Sequence, residues 1–356
     1  MRRLAHETGR ARQRPLPDGW RGHGRRVKVV DGATLAMPDT PANQQAYPQH
    51  NAQKPGLGFP ILRLVSIFCL ACGAGLEAAL NPYQGKRSGE NALLRQMTET
   101  LTAGDVLLGD GCFSSYFAVA LQRARGVDVV VRSQQCRPVD FRRGRWLGPA
   151  AHRVRWQRPK RPAWMAAAPY AQVPEAMAVR EVRVRVRQKG FRTQVYVAAT
   201  TLRDTRAYPA DDLAELYRVR WQAALPRRSL QVVLGMDVLR CRTPDRVRKE
   251  VWVHLLAYNL LRTVLAPAAK EQGLEPWQIS FKGTLQTVLA FADTLADATA
   301  ERLPGLYATL LKAVARHQVG DRPDRREPGK RKRRPKHYPH RTHLREQARA
   351  ALLKGS

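Results

Sequence analysis

The chain has 356 residues and carries 62 Lys and Arg against 29 Asp and Glu, a formal charge of +33. Its length is about two domains' worth, and 44% hydrophobic residues are enough to bury a core. So large a cationic excess argues against an ordinary small-metabolite enzyme with no polyanionic partner, and points to nucleic acid, since each neutralised phosphate releases condensed counterions.

Five cysteines, an odd number with no framework spacing, suit a reducing compartment, so a cytoplasmic protein is expected. Met1 to Arg26 is Arg-rich and broken by Glu7 and Asp18, so it reads as a disordered basic arm over 1–26 rather than a secretory signal. Val27 to Val30 is a short apolar strand ending at Asp31-Gly32, and a Pro- and Asn-rich loop follows from Met37 to Gln44. The long apolar run from Phe59 to Leu80 contains Arg63, Glu77, Pro60, Gly73 and Gly75. It therefore reads as two buried strands near 61–68 and 74–80, and no membrane span is expected. A helix is expected from about 88 to 101, then a strand at Val106-Leu107-Leu108 stopped by Gly109-Asp110-Gly111, a helix over Phe113 to Gln122, and a strand over Val127 to Val131. This order predicts an α/β core with a mixed sheet, its first part spanning 27–132.

Residues 133–205 break the rhythm with Arg, Trp and Pro and read as a β-rich basic insertion. In Val182-Arg183-Val184-Arg185-Val186-Arg187 the period is two, with valines on one face and arginines on the other, and Lys189-Gly190 turns into a second strand over Thr193 to Ala199. Helices resume over 206–265, where the core is completed, and continue through 266–317. The run Arg322 to Lys336 is polycationic and marks a basic tail over 318–356.

Asp31 and Asp110 each follow a short apolar strand and each precede Gly. If the strands are neighbours, both carboxylates leave one sheet edge and can share a divalent cation, as metal-assisted attack on phosphate requires. Spacing alone equally allows two ordinary strand-end turns. Cys69-Leu70-Ala71-Cys72 lies in an apolar run and reads as buried thiols, and His337, His340 and His343 sit in too cationic a setting for a metal site. The arginine face of Arg183, Arg185 and Arg187, with Trp146, Trp156 and Trp164 nearby, reads either as a solvated strand face or as a DNA-binding surface on which Trp156 stacks.

The segment Tyr217-Arg218-Val219-Arg220-Trp221-Gln222-Ala223-Ala224-Leu225-Pro226-Arg227-Arg228-Ser229-Leu230-Gln231 resembles the Tyr-x2-Arg-x3-Glu-x6-Lys signature of the fourth insertion-sequence family of DDE transposases. Asp31-Gly32-Ala33-Thr34, Lys54-Pro55-Gly56-Leu57-Gly58-Phe59-Pro60, Asp110-x-x-Phe113, and Met236-Asp237 through Tyr258-Asn259-Leu260 are similar to that family too. The resemblance implies an RNase H-like core in which three acids, the first two at Asp31 and Asp110, hold two Mg²⁺ ions for in-line attack on a phosphodiester. It implies DNA as partner, as transposon ends and target, with a homodimer on paired ends and no small-molecule substrate. Tyr217 and Arg220 would face the DNA phosphates, with helix packing as the alternative, since a Tyr ring serves a core as readily as a phosphate.

Offsets of 0, 3, 7 and 14 from Tyr217 fall within roughly 60° of one helix face. In this chain that stripe is damaged: Ala224 stands at the Glu position and Gln231 at the Lys position. A methyl group cannot bind a metal and an amide carries no cation for phosphate, while Pro226 inside the helix kinks it. Glu215 and Asp237 lie too far around or along the helix to substitute, and Glu250 and Asp39 stay open as replacements. The expectation is a transposase with impaired catalysis. A noncatalytic DNA-binding remnant, an active enzyme using a displaced acid, and a decayed chain that no longer folds stably are the alternatives.

Overall fold

The computed structural model describes residues 1–13, 23–134, 137, 139–186, 194–222, 228–319 and 345–354. Arg187, Ala224, Pro226, the Lys189-Gly190 turn, the 322–336 run and the three C-terminal histidines lie outside the described residues.

In chain order the elements are α1 (Arg2–Gln13), β1 (Val27–Ala36), α2 (Pro41–Ala46), β2 (Ile61–Cys69), β3 (Gly75–Pro82), α3 (Glu90–Gln96), β4 (Val106–Gly109), α4 (Tyr116–Ala124) and β5 (Asp128–Arg132). Then follow β6 (Arg145–Gly148), β7 (Ala151–Gln157), α5 (Ala167–Gln172), β8 (Ala176–Val186), β9 (Gln194–Thr200), α6 (Ala210–Gln222), α7 (Pro244–Glu271), α8 (Phe281–Ala296), α9 (Leu303–Ala315) and α10 (Arg345–Lys354).

One nine-stranded sheet runs β3-β2-β1-β4-β5-β9-β8-β7-β6. The β1–β4 and β4–β5 pairs are parallel and the others antiparallel. Parallel strands must be covered on both faces, and they are. On one face Leu93 and Leu94 of α3 and Tyr116, Phe117, Val119 and Ala120 of α4 join Val30, Leu107 and Val129 in one core. On the other, Leu213 and Tyr217 of α6 close over Val27, Val29, Val106, Leu108, Val182 and Val184. Each such side chain contributes about 1.5–3 kcal/mol on burial. A third cluster joins α7, α8 and α9 to β1 and β2 through residues such as Leu35, Leu62, Leu255, Phe281 and Leu311.

Two expectations change. Residues 2–13 are a helix rather than a disordered arm: α1 lies on α7 and β3, where Asn259 Nδ2 donates to the Ala5 carbonyl at 2.8 Å and His6 meets Glu77 at 2.7 Å. Beyond Val319, the chain is described again as the helix α10. The 133–205 segment holds β6, β7, β8 and β9, and β9 pairs directly with β5, so its strands continue the core sheet. The predicted alternation in β8 is present over the described positions, with Val182 and Val184 buried, Arg183 half-buried and Arg185 exposed.

The entry ends of β1 and β4 are joined by a buried ion pair. Lys28, 2% exposed, places Nζ 2.6 Å from Asp105 Oδ2 and donates to the Thr100 carbonyl. Asp105, fully buried, also accepts from the Thr102 amide at 2.8 Å and meets Arg26 Nε at 3.0 Å. Burial pushes the Lys28 amine below its ordinary range, and Asp105 opposes that shift. Removing one partner of such a pair strands the other charge without water, at a cost of about 3–5 kcal/mol. Asp105→Ala is therefore expected to lower the stability of the whole sheet by that amount, read as a drop in the urea midpoint.

Candidate active site

Val27, Lys28 and Val29 of β1 stand opposite Val106, Leu107 and Leu108 of β4. Carrying that parallel register two residues further sets Asp31 level with Asp110. The sequence reading placed both at strand tips, which holds for Asp110 but not for Asp31. β1 continues to Ala36 because β2 pairs with it along its whole length, while β4 stops at Gly109. Asp31 thus occupies the flank of β1 that β4 leaves open. Asp110 starts a single turn over Gly111–Phe113 and accepts the Cys112 amide at 2.8 Å.

Alternation along β1 sends Asp31 to the face of Val29, Ala33 and Leu35. There it lines a small cavity with Ser66, Leu64, Phe68, Leu230 and Met236. Ser66 is the direct cross-strand partner of Asp31. It is 3% exposed, and its hydroxyl finds no hydrogen-bond partner among the described residues.

A third carboxylate reaches the same place from the opposite face. Glu90, in the first turn of α3, has an oxygen that lies with an Asp110 oxygen and the Cys112 sulfur in a group whose atoms are all within 4.8 Å of one another. Gly32 makes the approach possible, for a Cβ there would stand only 2.3 Å from Glu90 Oε1. The helix start is pinned on both sides: Arg63 Nη1 donates to the Ser88 carbonyl at 3.1 Å, and Asn91 Nδ2 to the Cys112 carbonyl at 2.7 Å. Burial, then the charge of Asp110, raises the Glu90 pKa, with a smaller push from Asp31. The Cys112 thiol is pushed up to about 12 by burial and by the neighbouring Asp110 and Glu90. Glu90 and Asp110 therefore meet where β1 and β4 part, while Asp31 lies outside that group and adds only its charge from β1.

The sequence reading missed Glu90. An acid in a first helical turn is the ordinary complement of the helix dipole, and no local pattern ties α3 to Asp110. The replacements left open in sequence are engaged elsewhere. Glu250 accepts the amides of Arg240 and Cys241 at 2.8 and 2.9 Å, and Asp39 accepts from Gln44 Nε2 at 2.6 Å.

Of the signature residues, Tyr217 is 1% exposed in the core over β4 and β8. Burial raises its phenol pKa, the charges of Arg220 and Arg132 oppose this, and that of Asp110 adds to it, so Tyr217 stands within electrostatic reach of the acids. The Arg220 guanidinium lies 5.0 Å from the Tyr217 ring centre. After the undescribed stretch the chain re-enters as a π-type turn over Ser229–Val233, which carries the half-buried Gln231 and brings Leu230 to the cavity of Asp31.

Trp156 requires a correction. It is 7% exposed, part of the α3–α4 core, and its indole N–H donates to Glu181 Oε1 at 3.1 Å. Glu181 Oε2 meets His152 Nε2 at 2.8 Å. Strand alternation turns His152, Val154 and Trp156 toward the helices, so this ring is not a stacking surface for DNA. Arg183 lies over the Phe141 ring at 4.4 Å. Nearby, Arg123, Arg145, Arg153, Arg155 and Arg203 line a cleft of ≈ 1000 Å³ whose lining includes no carboxylate.

The chain thus combines a mixed sheet flanked by helices, carboxylates near the end of a parallel strand pair and a net charge of +33. Residues 22–260 match the transposase DDE domain family, and the chain belongs to it: it is an enzyme of the transposase type. It is 27% identical over 326 residues, 89% of this chain and 70% of the relative, to the transposase InsG for insertion sequence element IS4 of Escherichia coli K12. A 61-residue stretch, 17% of this chain and 16% of the relative, is 33% identical to the transposase for insertion sequence element IS421 of Escherichia coli. Among solved structures, the piggyBac transposase synaptic complex with hairpin DNA overlaps 80% of this chain and 57% of its own, with a TM-score of 0.44 and 8% identity. No described helix is long and apolar enough to cross a membrane.

The proximity of Glu90 to Cys112 can be read chemically. Glu90→Gln removes a negative charge beside the thiol, so its pKa falls and more thiolate is present at any given pH. Alkylation of Cys112 by iodoacetamide near pH 9, followed by peptide mass mapping, should be several-fold faster in the variant.

Proposed function

We propose that this chain is an insertion-sequence transposase of the IS4 type whose Asp31 and Asp110 form a Mg²⁺-dependent centre for phosphodiester cleavage and strand transfer, on an RNase H-like core. What supports the reading is the parallel β1–β4 register, which, carried two residues past its last pair, brings Asp31 level with Asp110 just beyond the end of β4. The donors gathered at Asp110 are its own carboxylate, that of Glu90 and the Cys112 sulfur, with Asp31 outside that group and the orphaned Ser66 hydroxyl opposite it across the strand pair, and the carboxylate oxygens suit a hard divalent cation. The Cys112 sulfur, held protonated, suits such an ion poorly. A bound Mg²⁺ would polarise the phosphoryl oxygens and activate the attacking water or 3′-hydroxyl. Arg220, beside Tyr217, is the cation positioned to hold a DNA phosphate near Asp110. Arg183 and Arg185, with Arg187 beyond them in sequence, extend a cationic face along β8, and the five-arginine cleft offers a second backbone contact.

In this copy catalysis is impaired, because Ala224 and Gln231 remove a metal ligand and a phosphate-holding cation. Loss of even an outer-shell partner costs about 10- to 100-fold. The double reversion Ala224→Glu with Gln231→Lys should raise Mg²⁺-dependent nicking of supercoiled plasmid at least that much. Binding of a 30-base-pair duplex, followed by fluorescence anisotropy, should hardly change. Equal nicking by the unaltered chain and the revertant overturns the impairment. Loss of duplex binding on Asp31→Asn alone would contradict a purely catalytic role for that residue.

The cleft has its own signature. Binding to duplex DNA should weaken linearly with log salt, by about 0.9 per neutralised phosphate. Replacing Arg153 and Arg155 together by Ala should make that slope shallower by about 1 to 2.

A further inference from the structure

The signature has lost its acid at Ala224, yet the centre is not reduced to Asp31 and Asp110. We infer that Glu90 is the third ligand: with Asp110 it holds one divalent cation from the α3 face, opposite the side on which the signature helix lies. This inference rests on the reading of Asp31 and Asp110 as a metal centre.

Three observations carry it. Glu90 and Asp110 oxygens stand within 4.8 Å of each other, a span that a single ion with oxygen ligands at about 2.0–2.6 Å bridges. Gly32 leaves empty the space that the Glu90 carboxylate occupies, and any side chain there would displace it. Arg63 and Asn91 fix the start of α3 through the Ser88 and Cys112 carbonyls. The fold thus brings two carboxylates together in a half-buried place, where burial and the charge of Asp110 outweigh the Cys112 thiol and the charge of Arg63, an arrangement that a divalent cation relieves. The part of the centre at Asp31 has separate support: on the α6 face the buried Ser66 hydroxyl, without a partner among the described residues, opens into the cavity that Asp31 lines.

The structure divides the labour accordingly. Asp31 rises on the α6 face, Glu90 arrives on the α3 face, and Asp110 stands between them at the strand end. One cation site survives the loss of the signature glutamate at Ala224. Metal binding and catalysis are therefore separable in this chain.

The test is Mn²⁺ binding to the full-length protein without DNA, by calorimetry and by electron paramagnetic resonance of the free ion, alongside thermal melts with and without Mn²⁺. The unaltered chain should bind Mn²⁺, and Glu90→Gln should weaken binding at least about tenfold while its metal-free melting temperature stays equal or rises, since a like charge has been removed. Gly32→Ala, which displaces the Glu90 carboxylate without altering it, should weaken Mn²⁺ in the same direction. Cys112→Ser should bind as the unaltered chain does. If Glu90→Gln and Gly32→Ala, both folded by their metal-free melts, bind Mn²⁺ normally while Asp110→Asn does not, Glu90 is no ligand and the aspartate pair stands. If the unaltered chain binds no Mn²⁺, or Asp31→Asn and Asp110→Asn bind it unchanged, the metal centre itself falls and Glu90 with it.

Discussion

The parallel pairing of β1 with β4 is the constraint on which the acidic centre depends. Two adjacent parallel strands have no hairpin to fix their register, so it is set by burial and by what their ends hold. Here Val27, Val29, Val106 and Leu108 turn to one core, and Lys28 with Asp105 ties the entry ends together in the interior. A slip of one residue would bring Lys28 out of reach of Asp105 and turn valines to the wrong face. The same register, followed toward the far ends, sets Asp31 level with Asp110. A buried cation at one end of the strands thus positions two carboxylates at the other.

Much of this was legible in the residues, and what was not has identifiable causes. The apolar runs of β2, β3, β4 and β5 and the alternation in β8 announce themselves, because burial on one or both faces leaves a period that local sequence carries. Asp31-Gly32 looked like a terminator, but β2 supplies a full-length partner, and pairing overrides the turn preference of that dipeptide. Helix α1 was hidden by its charge. Its arginines dominate composition, whereas its anchoring residues are small: Ala5, and Gly9, where a Cβ would meet the Gly75 carbonyl at 2.1 Å. Trp156, between arginines in sequence, looked like a surface for bases, although the alternation of β7 turns it inward onto Glu181.

The centre itself divides along the same line. Asp31, Asp110, Tyr217 and Arg220 could be named from motif spacing because each belongs to a local pattern. Glu90 belongs to none. Its place follows from tertiary contacts: β1 lying against β2, Arg63 of β2 reaching the Ser88 carbonyl two residues before α3, and Gly32 leaving room. An acid that acts through such contacts is invisible to any reading that proceeds along the chain, even in a sequence with only 29 acidic residues to consider.

An open sheet of nine strands has two margins where backbone amides could recruit a strand from another molecule. At one margin α1 lies against β3, with Arg2 and His6 holding Glu77. At the other, β6 is four residues long, carries Arg145, and breaks register between Trp146 and Gly148. The short, register-broken β6 and the α1 contacts at the start of β3 blunt these margins among the described residues, which guards so basic a chain against merging its sheet with that of another copy.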